Sequence, residues 1–217
     1  MLAGTSLQSQ AFALLGAGPI ADPANSLFFL WGGANDFFLN PSAATAAAGV
    51  TNMVNTVTTL YAGGARNFLV ANLPNLAATP AGRALPDPQR AGLQMLTMGF
   101  NNGLDAAITG LSGLPSIDIT LFDTYAFLNA LLADPAAFGI SNTTTPWLTG
   151  NLAVGGTVCA SPGAYLFWDS VHPSAAAHRA LGDAFAEAVV PEPASSTLVA
   201  LAAVAWLAQR RRLASRR

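Results

Sequence analysis

The stretch Leu27-Phe28-Phe29-Leu30-Trp31, which ends at the pair Gly32-Gly33, decides the fold class of this chain. A short apolar run closed by glycines is typical of a strand that is buried on both faces of a parallel sheet. The polar pair Asn35-Asp36 follows almost directly. We therefore expect a buried strand whose carboxyl end carries these two side chains.

Similar segments alternate along the rest of the chain. Two further apolar runs predict strands over residues 67–71 and 117–122. Apolar residues at helical spacing predict helices over residues 43–61, 88–109, 124–133 and 174–188. Strands that are separated by helices imply a parallel sheet covered by helices on both faces. The intervening residues 134–165 are rich in Pro, Gly, Asn and Thr, and they are predicted to be mostly loop.

The composition restricts the classes of function. A chain of 217 residues is long enough for one domain with a sizeable core. Only 9% of the residues are charged and there is no Lys, which favours an exported protein. Residues 1–209 carry four Arg against eleven acidic residues, a balance of −7, which excludes the cationic surface that nucleic-acid binding needs. The single Cys159 excludes an internal disulfide framework and a cysteine zinc cluster, and no metal or cofactor is predicted.

Residues 189–217 differ in composition from the rest of the chain. Pro191-Glu192-Pro193 precedes an apolar segment, and five of the nine Arg lie in the last eight residues. The apolar segment is shorter than the ~20 residues of an ordinary membrane span. Because arginine side chains can reach the membrane interface, a membrane segment over residues 195–208 is still predicted. The alternative is a hydrophobic terminal helix that packs on the domain.

The order of Pro-Glu-Pro, apolar segment and Arg cluster resembles the PEP-CTERM sorting signal of exported bacterial proteins. The resemblance implies a protein of the cell envelope or medium of a Gram-negative bacterium. Such a protein is anchored in the membrane until sorting and processing machinery removes the tail. The resemblance divides the chain into a domain over residues 1–188 and a sorting segment over residues 189–217.

Asp169 and His172 are the strongest catalytic candidates, because they stand three residues apart just before the last predicted helix. A carboxylate bound to one imidazole nitrogen orients a histidine base and stabilises its charged form. The side-chain amide of Asn35 is a candidate donor to a negatively charged oxygen. The alternatives are that Asp169 caps the helix while His172 is a surface residue, and that Asn35-Asp36 is an ordinary turn. His178 is interpreted as a structural residue.

Several segments resemble conserved blocks of the SGNH hydrolases, also called GDSL lipases and esterases. Phe167-Trp168-Asp169-Ser170-Val171-His172-Pro173-Ser174 resembles the last block, and residues 27–36 resemble the third. Residues 70–80 and 134–140 also fit, so the resemblance spans roughly residues 5–188. It implies an α/β protein with the three-layer α/β/α, flavodoxin-like SGNH hydrolase fold. Here the parallel sheet is partial, and the C-terminal hydrophobic helix follows the domain.

The same resemblance implies a role for each candidate residue. His172 is the base, Asp169 orients it and Asn35 donates to the oxyanion. Gly33 lets the backbone approach the substrate, and Asp36 holds the turn. The implied reaction is hydrolysis of a small ester or lipid substrate through a covalent acyl-enzyme, without a metal.

The chain departs from the family at its nucleophile. No Gly-Asp-Ser motif precedes Leu27, and Gly4-Thr5-Ser6 is not assigned this role, so the nucleophile is unknown. We expect that the chain begins inside a longer protein, that it is inactive and poorly stable as given, and that its first strand is an apolar edge. The alternatives are a non-catalytic envelope protein that keeps the SGNH scaffold and a purely structural surface protein.

Overall fold

Three parallel strands form the centre of the molecule. The computed structural model describes residues 6–150, 153 and 155–190. Within them β1 (Leu27–Trp31), β2 (Asn67–Ala71) and β3 (Asp118–Phe122) pair in that order, which confirms the predicted strands, the third beginning one residue later. Leu27 lies opposite Asn67, which lies opposite Asp118. The strands therefore begin and end level, and the loops that follow them meet at one edge of the sheet.

Helices occupy most of the remaining described chain. They are α1 (Leu7–Gly16), α2 (Ala34–Leu39), α3 (Ala43–Ala62), α4 (Pro80–Arg83), α5 (Asp87–Leu111), α6 (Thr124–Ala133) and α7 (Ala175–Val189). The four predicted helices correspond to α3, α5, α6 and α7, with ends that agree to within two residues. The predicted loop region holds a small antiparallel sheet of two strands, β4 (Leu148–Thr149) and β5 (Thr157–Val158).

One face of the sheet is covered by α3 and α5. Met53 and Val57 of α3 and Phe100 and Leu104 of α5 are buried in one hydrophobic cluster with Phe68 of β2. These side chains recur at the helical spacing from which the two helices are predicted. Burial of this apolar stripe is what attaches the helices to the sheet.

The other face is covered by α6 and α7. The ring centroid of Phe185 in α7 lies 4.9 Å from that of Phe29 and 4.6 Å from that of Phe122. Phe127 of α6 lies 6.0 Å from Phe122. Helices on both faces of a parallel sheet form three layers, so the expected α/β/α architecture is confirmed.

Neither α1 nor α2 is predicted from apolar spacing. Only Ala11 of α1 is buried, and α2 has six residues, so neither helix has an extended apolar stripe. The alternative of an ordinary turn at Asn35-Asp36 is wrong, because both residues lie in the first turn of α2, with Gly33 at its N-terminal cap position.

β1 lies at an edge of this sheet, as expected. Among the described residues, no strand pairs with the side of β1 that faces away from β2. Leu27 and Phe29 are 50% and 46% exposed. The first strand thus presents apolar side chains along a free backbone edge.

The predicted membrane segment over residues 195–208, and with it the C-terminal hydrophobic helix, lies outside the described residues. Within the ranges that the structure covers, no helix is both long and apolar enough to cross a membrane.

Candidate active site

Hydrogen bonds tie the carboxyl ends of the three strands together. The indole Nε1 of Trp31 donates to the backbone oxygen of Asn72, 3.1 Å away. The buried side chain of Asn72 accepts from the Thr124 hydroxyl at 2.8 Å and donates to the Asp123 carboxylate at 2.9 Å. Because a buried amide is costly unless its donors and acceptors are paired, these bonds fix the loops after β1, β2 and β3 relative to one another.

The chain changes direction at Gly33, and this places Asn35 at the start of α2. Gly33 has a φ of 109°, in the left-handed region that favours glycine. A Cβ at this position would lie 3.4 Å from the ring of Phe100 and 3.9 Å from Leu73. Gly33 therefore lets the loop pass close over the core. The side chain of Asn35 is exposed beyond it and accessible to a ligand.

Asp169 binds His172 with both of its carboxylate oxygens. Oδ2 lies 2.8 Å from the ring Nδ1 of His172. Oδ1 accepts the backbone N–H groups of His172 at 2.7 Å and of Val171 at 2.9 Å. The carboxylate selects the tautomer with the proton on Nδ1, because only that form donates to it. Nε2 is then the acceptor, as a general base requires.

Ser174, not Asp169, caps α7. The hydroxyl of Ser174 accepts the backbone N–H of Ala177 at 3.2 Å. The alternative that Asp169 is a helix cap is therefore wrong. The side chain of His172 is 65% exposed, so the imidazole is held by its hydrogen bond and not by burial.

The pKa of the Asp169 carboxyl group is lowered from its ordinary value of 3.8. Partial burial is the largest single effect, and it raises this pKa because it disfavours the charged form. The backbone N–H groups of His172 and Val171, together with the His172 ring, outweigh burial. Asp169 is consequently ionised at neutral pH, which is the state that orients an imidazole.

Asn35 and His172 lie on the wall of one cavity of about 300 Å³. The other walls are mostly apolar and come from the ends of β1 and β2, from α6 and α7, and from the segment before the Asp169–His172 turn. They include Trp31, Leu73, Leu76, Phe127, Leu128, Leu131, Leu166, Phe167 and Leu181. The cavity thus borders both hydrophobic clusters of the molecule. Two candidate residues from opposite ends of the sequence meet at one apolar space.

The structure also gives the positions of Asp36 and His178. Asp36 is half-buried in the first turn of α2 and lines a second, neighbouring cavity of about 290 Å³, not the first one. Gly33 lines both cavities. His178 is exposed on α7 and lines the first cavity, so its imidazole is not part of the core.

A family model described as GDSL-like Lipase/Acylhydrolase matches residues 5–185 of this chain. The chain belongs to this family. The matched range includes the three strands and most of α7, together with Gly33, Asn35, Asp169 and His172. The assignment therefore covers every element that lines the first cavity.

Curated relatives agree with the GDSL-like assignment. The chain is 33% identical over 195 residues to the "Uncharacterized protein in trpE-trpG intergenic region" of Pseudomonas putida, which covers 82% of this chain and 31% of that protein. It is 33% identical over 150 residues to "GDSL esterase/lipase APG" of Arabidopsis thaliana, and the match covers 62% of this chain and 42% of that protein. It is 28% identical over 177 residues to "Thermolabile hemolysin" of Vibrio parahaemolyticus, and the match covers 76% of this chain and 41% of that protein. The chain thus spans about a third to two fifths of the length of these relatives.

In this GDSL-like chain an imidazole, which is bound to a carboxylate, and an exposed amide side chain border the first cavity, but the described residues that line it include no serine or cysteine. The hydroxyls on its wall belong to Thr79 and Thr124. Thr79 donates to the backbone oxygen of Leu76 at 2.8 Å, and Thr124 binds Asn72. In the described part of the chain, no group of three or more His, Cys, Asp and Glu residues could hold a metal ion.

The apolar residues on the cavity wall were not among the candidate site residues of the sequence analysis. Leu128 and Leu131 follow the helical spacing of α6, and that pattern is the same for a core residue and for a cavity wall. Leu166 is buried and precedes the Asp169–His172 turn. The resemblance to the last family block was the one signal that pointed to this segment.

Proposed function

We propose that the protein is an ester hydrolase of the GDSL type that acts through a serine acyl-enzyme. His172 is the general base, Asp169 orients it, and Asn35 donates to the oxyanion. The observation that carries this proposal is the shared cavity. An imidazole bound to an ionised carboxylate and an exposed amide border the same apolar space.

The proposed reaction begins when Nε2 of His172 takes the proton of the nucleophilic hydroxyl as its oxygen attacks the ester carbonyl. The carbonyl oxygen becomes negative and accepts a hydrogen bond from the amide of Asn35. The bond from the carbonyl carbon to the alcohol oxygen then breaks, and His172 gives its proton to the leaving alcohol. Water repeats the sequence on the acyl-enzyme, which releases the acid and restores the hydroxyl.

We propose further that the nucleophilic serine is not among residues 1–217. The support is that none of the described residues on the cavity wall is a serine or cysteine, and that no Gly-Asp-Ser motif precedes Leu27. A fluorophosphonate probe, which reacts with activated serines, tests this. The 217-residue chain and a protein extended through the upstream reading frame are labelled side by side, and both are assayed with p-nitrophenyl butyrate.

The extended protein is expected to be labelled on a serine outside these 217 residues and to hydrolyse the ester, while the 217-residue chain does neither. A label on a serine within residues 1–217 would contradict the proposed origin of the nucleophile. In the extended protein, His172→Ala is expected to abolish hydrolysis, whereas Arg179→Ala at an exposed position of α7 serves as the matched control. Absence of hydrolysis in every form would favour a non-catalytic envelope protein with the same scaffold.

The substrate that fits the first cavity is an ester with an apolar acyl chain. The apolar walls of this cavity of about 300 Å³ are the surface that an acyl chain would contact. We propose that this cavity receives the acyl chain of the ester, so that its walls set the acyl chain length that is preferred.

A substitution inside the cavity tests the acyl site separately from the chemistry. Leu128→Trp fills part of the cavity and is expected to shift the preferred p-nitrophenyl ester toward shorter chains. Leu128→Met conserves the volume and is expected to leave the preference unchanged. An unchanged chain-length profile in Leu128→Trp would place the acyl chain elsewhere.

We also propose that the protein is exported and held in the membrane through residues 195–208 until its tail is processed. The support is the order of Pro-Glu-Pro, apolar segment and Arg cluster in the sequence. Cell fractionation tests this with a variant whose five Arg in the last eight residues are replaced by Gln. The parent protein is expected in the envelope and the variant is expected to be mislocalised. The same distribution for both would contradict the proposal.

A further inference from the structure

The turn that carries Asp169 and His172 is not fixed by burial. Ser170 is exposed, and so is most of the His172 side chain. The bonds of Asp169 to Val171 and His172 lie inside the turn. These bonds set the shape of the turn, but they do not fix its position on the rest of the molecule.

A pair of stacked indoles lies next to this turn. The ring centroids of Trp147 and Trp168 are 4.4 Å apart, with an angle of 32° between the ring planes. The backbone N–H groups of Trp147 and Leu148 donate to the carbonyls of Phe167 at 3.0 Å and Trp168 at 2.7 Å. The N–H of Trp168 donates to the backbone oxygen of His172 at 2.8 Å. Trp168 is therefore bound to the residue 147–148 segment on one side and to His172 on the other.

We propose that Trp147 and Trp168 are positioning residues, whose stacked rings hold the backbone on which the Asp169–His172 hydrogen bond is built. Neither ring lines the first cavity, so neither is a catalytic residue. Aromatic pairs add to stability beyond the area that they bury. The catalytic meaning of this inference rests on the proposed function, whereas the positioning itself can be measured without any activity.

Other backbone hydrogen bonds hold the remaining parts of the turn, so the effect of losing the indole pair is expected to be local. The N–H of Ala81 donates to the backbone oxygen of Ser170 at 2.8 Å, and the N–H of Ser174 donates to that of Leu166 at 2.8 Å. These bonds fix the tip and the far end of the turn, whereas its beginning at Trp168 is held by the backbone bonds to Leu148 and His172 and by the indole pair. Since Trp168 is 37% exposed, its replacement opens no deep cavity in the core. Loss of the stack is therefore expected to loosen the beginning of the turn without unfolding the sheet.

The indole N–H of Trp147 allows a conservative variant. This Nε1 is buried and has no hydrogen-bond partner within the described residues. Within the described residues, the contact that Trp147 makes with Trp168 is a contact of its ring. Trp147→Phe keeps an aromatic contact with Trp168, and Trp147→Leu removes it. Phe12→Leu replaces an exposed aromatic residue on α1 and is the matched control.

Amide hydrogen exchange of the 217-residue chain tests the proposal. The N–H groups of Val171 and His172 report the turn, and those of Leu69 and Val70 report β2. Trp168→Leu and Trp147→Leu are each expected to lower protection of the two turn amides about tenfold, with β2 unchanged within about twofold. Trp147→Phe and Phe12→Leu are expected to resemble the parent chain. The proton resonance of His172 Nδ1–H is expected to broaden only in the two Leu variants at positions 147 and 168.

Each outcome decides the question. Equal loss of protection in β2 and in the turn means that the pair supports global stability and overturns the positioning role. Unchanged protection of the turn in both Leu variants overturns it as well. If the extended protein hydrolyses esters, both variants are expected to lower kcat with little change in KM. If no form hydrolyses esters but the exchange result holds, the proposed function fails while the positioning role stands.

Discussion

Asp169 uses its two oxygens for two different tasks, and a single substitution separates them. Asn at this position keeps a carbonyl oxygen for the amides of Val171 and His172, but its NH₂ group cannot accept the Nδ1–H of His172. In the extended protein that is proposed to hydrolyse esters, Asp169→Asn is expected to lower kcat about 10⁴-fold, because the wrong imidazole tautomer is then favoured. The melting temperature of Asp169→Asn is expected to lie closer to the parent value than the melting temperature of Asp169→Ala does.

The control for this prediction is Asp134→Asn. Asp134 accepts the backbone N–H of Ala137 at 3.3 Å in a local turn of the same kind, and it does not line the cavity. This variant is expected to leave kcat unchanged. Steady-state kinetics and thermal unfolding check both variants, and an equal effect of the two on kcat would remove Asp169 from the mechanism.

The lowered pKa of Asp169 also predicts how stability depends on pH. A carboxyl group whose pKa is lower in the folded state stabilises the fold above its ordinary value of 3.8. That contribution is lost as the pH falls from this value through the lowered pKa. Urea unfolding of the parent and of Asp169→Asn between pH 7 and pH 3 measures it. The difference in unfolding free energy between the parent and Asp169→Asn is expected to be constant down to about pH 5 and to decrease below pH 3.8, the ordinary pKa. An increase of this difference at acid pH would contradict the lowered pKa of Asp169.

At the scale of the elements, α2 depends on the conformation of Gly33. Ala at this position would carry a side chain at a φ of 109° and bring its Cβ to 3.4 Å from Phe100. Strained backbone of this kind costs about 1–3 kcal/mol. Gly33→Ala is therefore expected to lower the free energy of unfolding by that amount and to displace Asn35.

Gly99 in the middle of α5 provides the opposite case. A Cβ there meets nothing within 4 Å, and the position is exposed. Gly99→Ala is expected to stabilise the chain by about 0.5–1 kcal/mol, because Ala favours a helix interior over Gly. Urea unfolding of both variants gives the comparison, and the same sign for both would show that backbone conformation is not what Gly33 supplies.

The elements differ in how much of them the sequence can predict. β1 and α3 can be predicted from the sequence, because β1 is a continuous apolar run and α3 has an apolar stripe at helical spacing. The beginning of α2 depends on the backbone conformation of Gly33 and on its contacts with Phe100 and Leu73, and these leave no periodic pattern in the sequence. Asn101 of α5 binds both the N–H and the carbonyl of Leu73 at 2.9 and 2.8 Å, and nothing in the sequence around either residue indicates this pairing. The Trp147–Trp168 stack is unpredictable for the same reason, since it joins residues that are distant in the chain.

At the scale of the whole molecule, the candidate site depends on where the two hydrophobic clusters meet. The cluster under α3 and α5 fixes the strand ends, and the cluster around Leu131 and Leu166 fixes α6 and the segment before Asp169. The resemblance to family blocks assigned Asn35, Asp169 and His172, and the level carboxyl ends of parallel strands explain why residues this far apart in sequence share a cavity. The cavity walls needed the structure, because they arise from packing between layers.

The free edge of β1 predicts the behaviour of the 217-residue chain in solution. An exposed apolar edge strand can pair with another chain, and a charged residue on the edge opposes such pairing. Leu27 and Phe29 are half-exposed along this edge, whereas the opposite edge strand, β3, begins with Asp118. The weight-average mass from sedimentation velocity is therefore expected to rise with concentration in the parent and to rise less in Leu27→Lys. Met95→Lys removes an apolar side chain that is 73% exposed on α5, away from the edge, and is expected to associate like the parent. If the two Lys variants reduce association equally, exposed apolar area in general drives it and not the edge of β1.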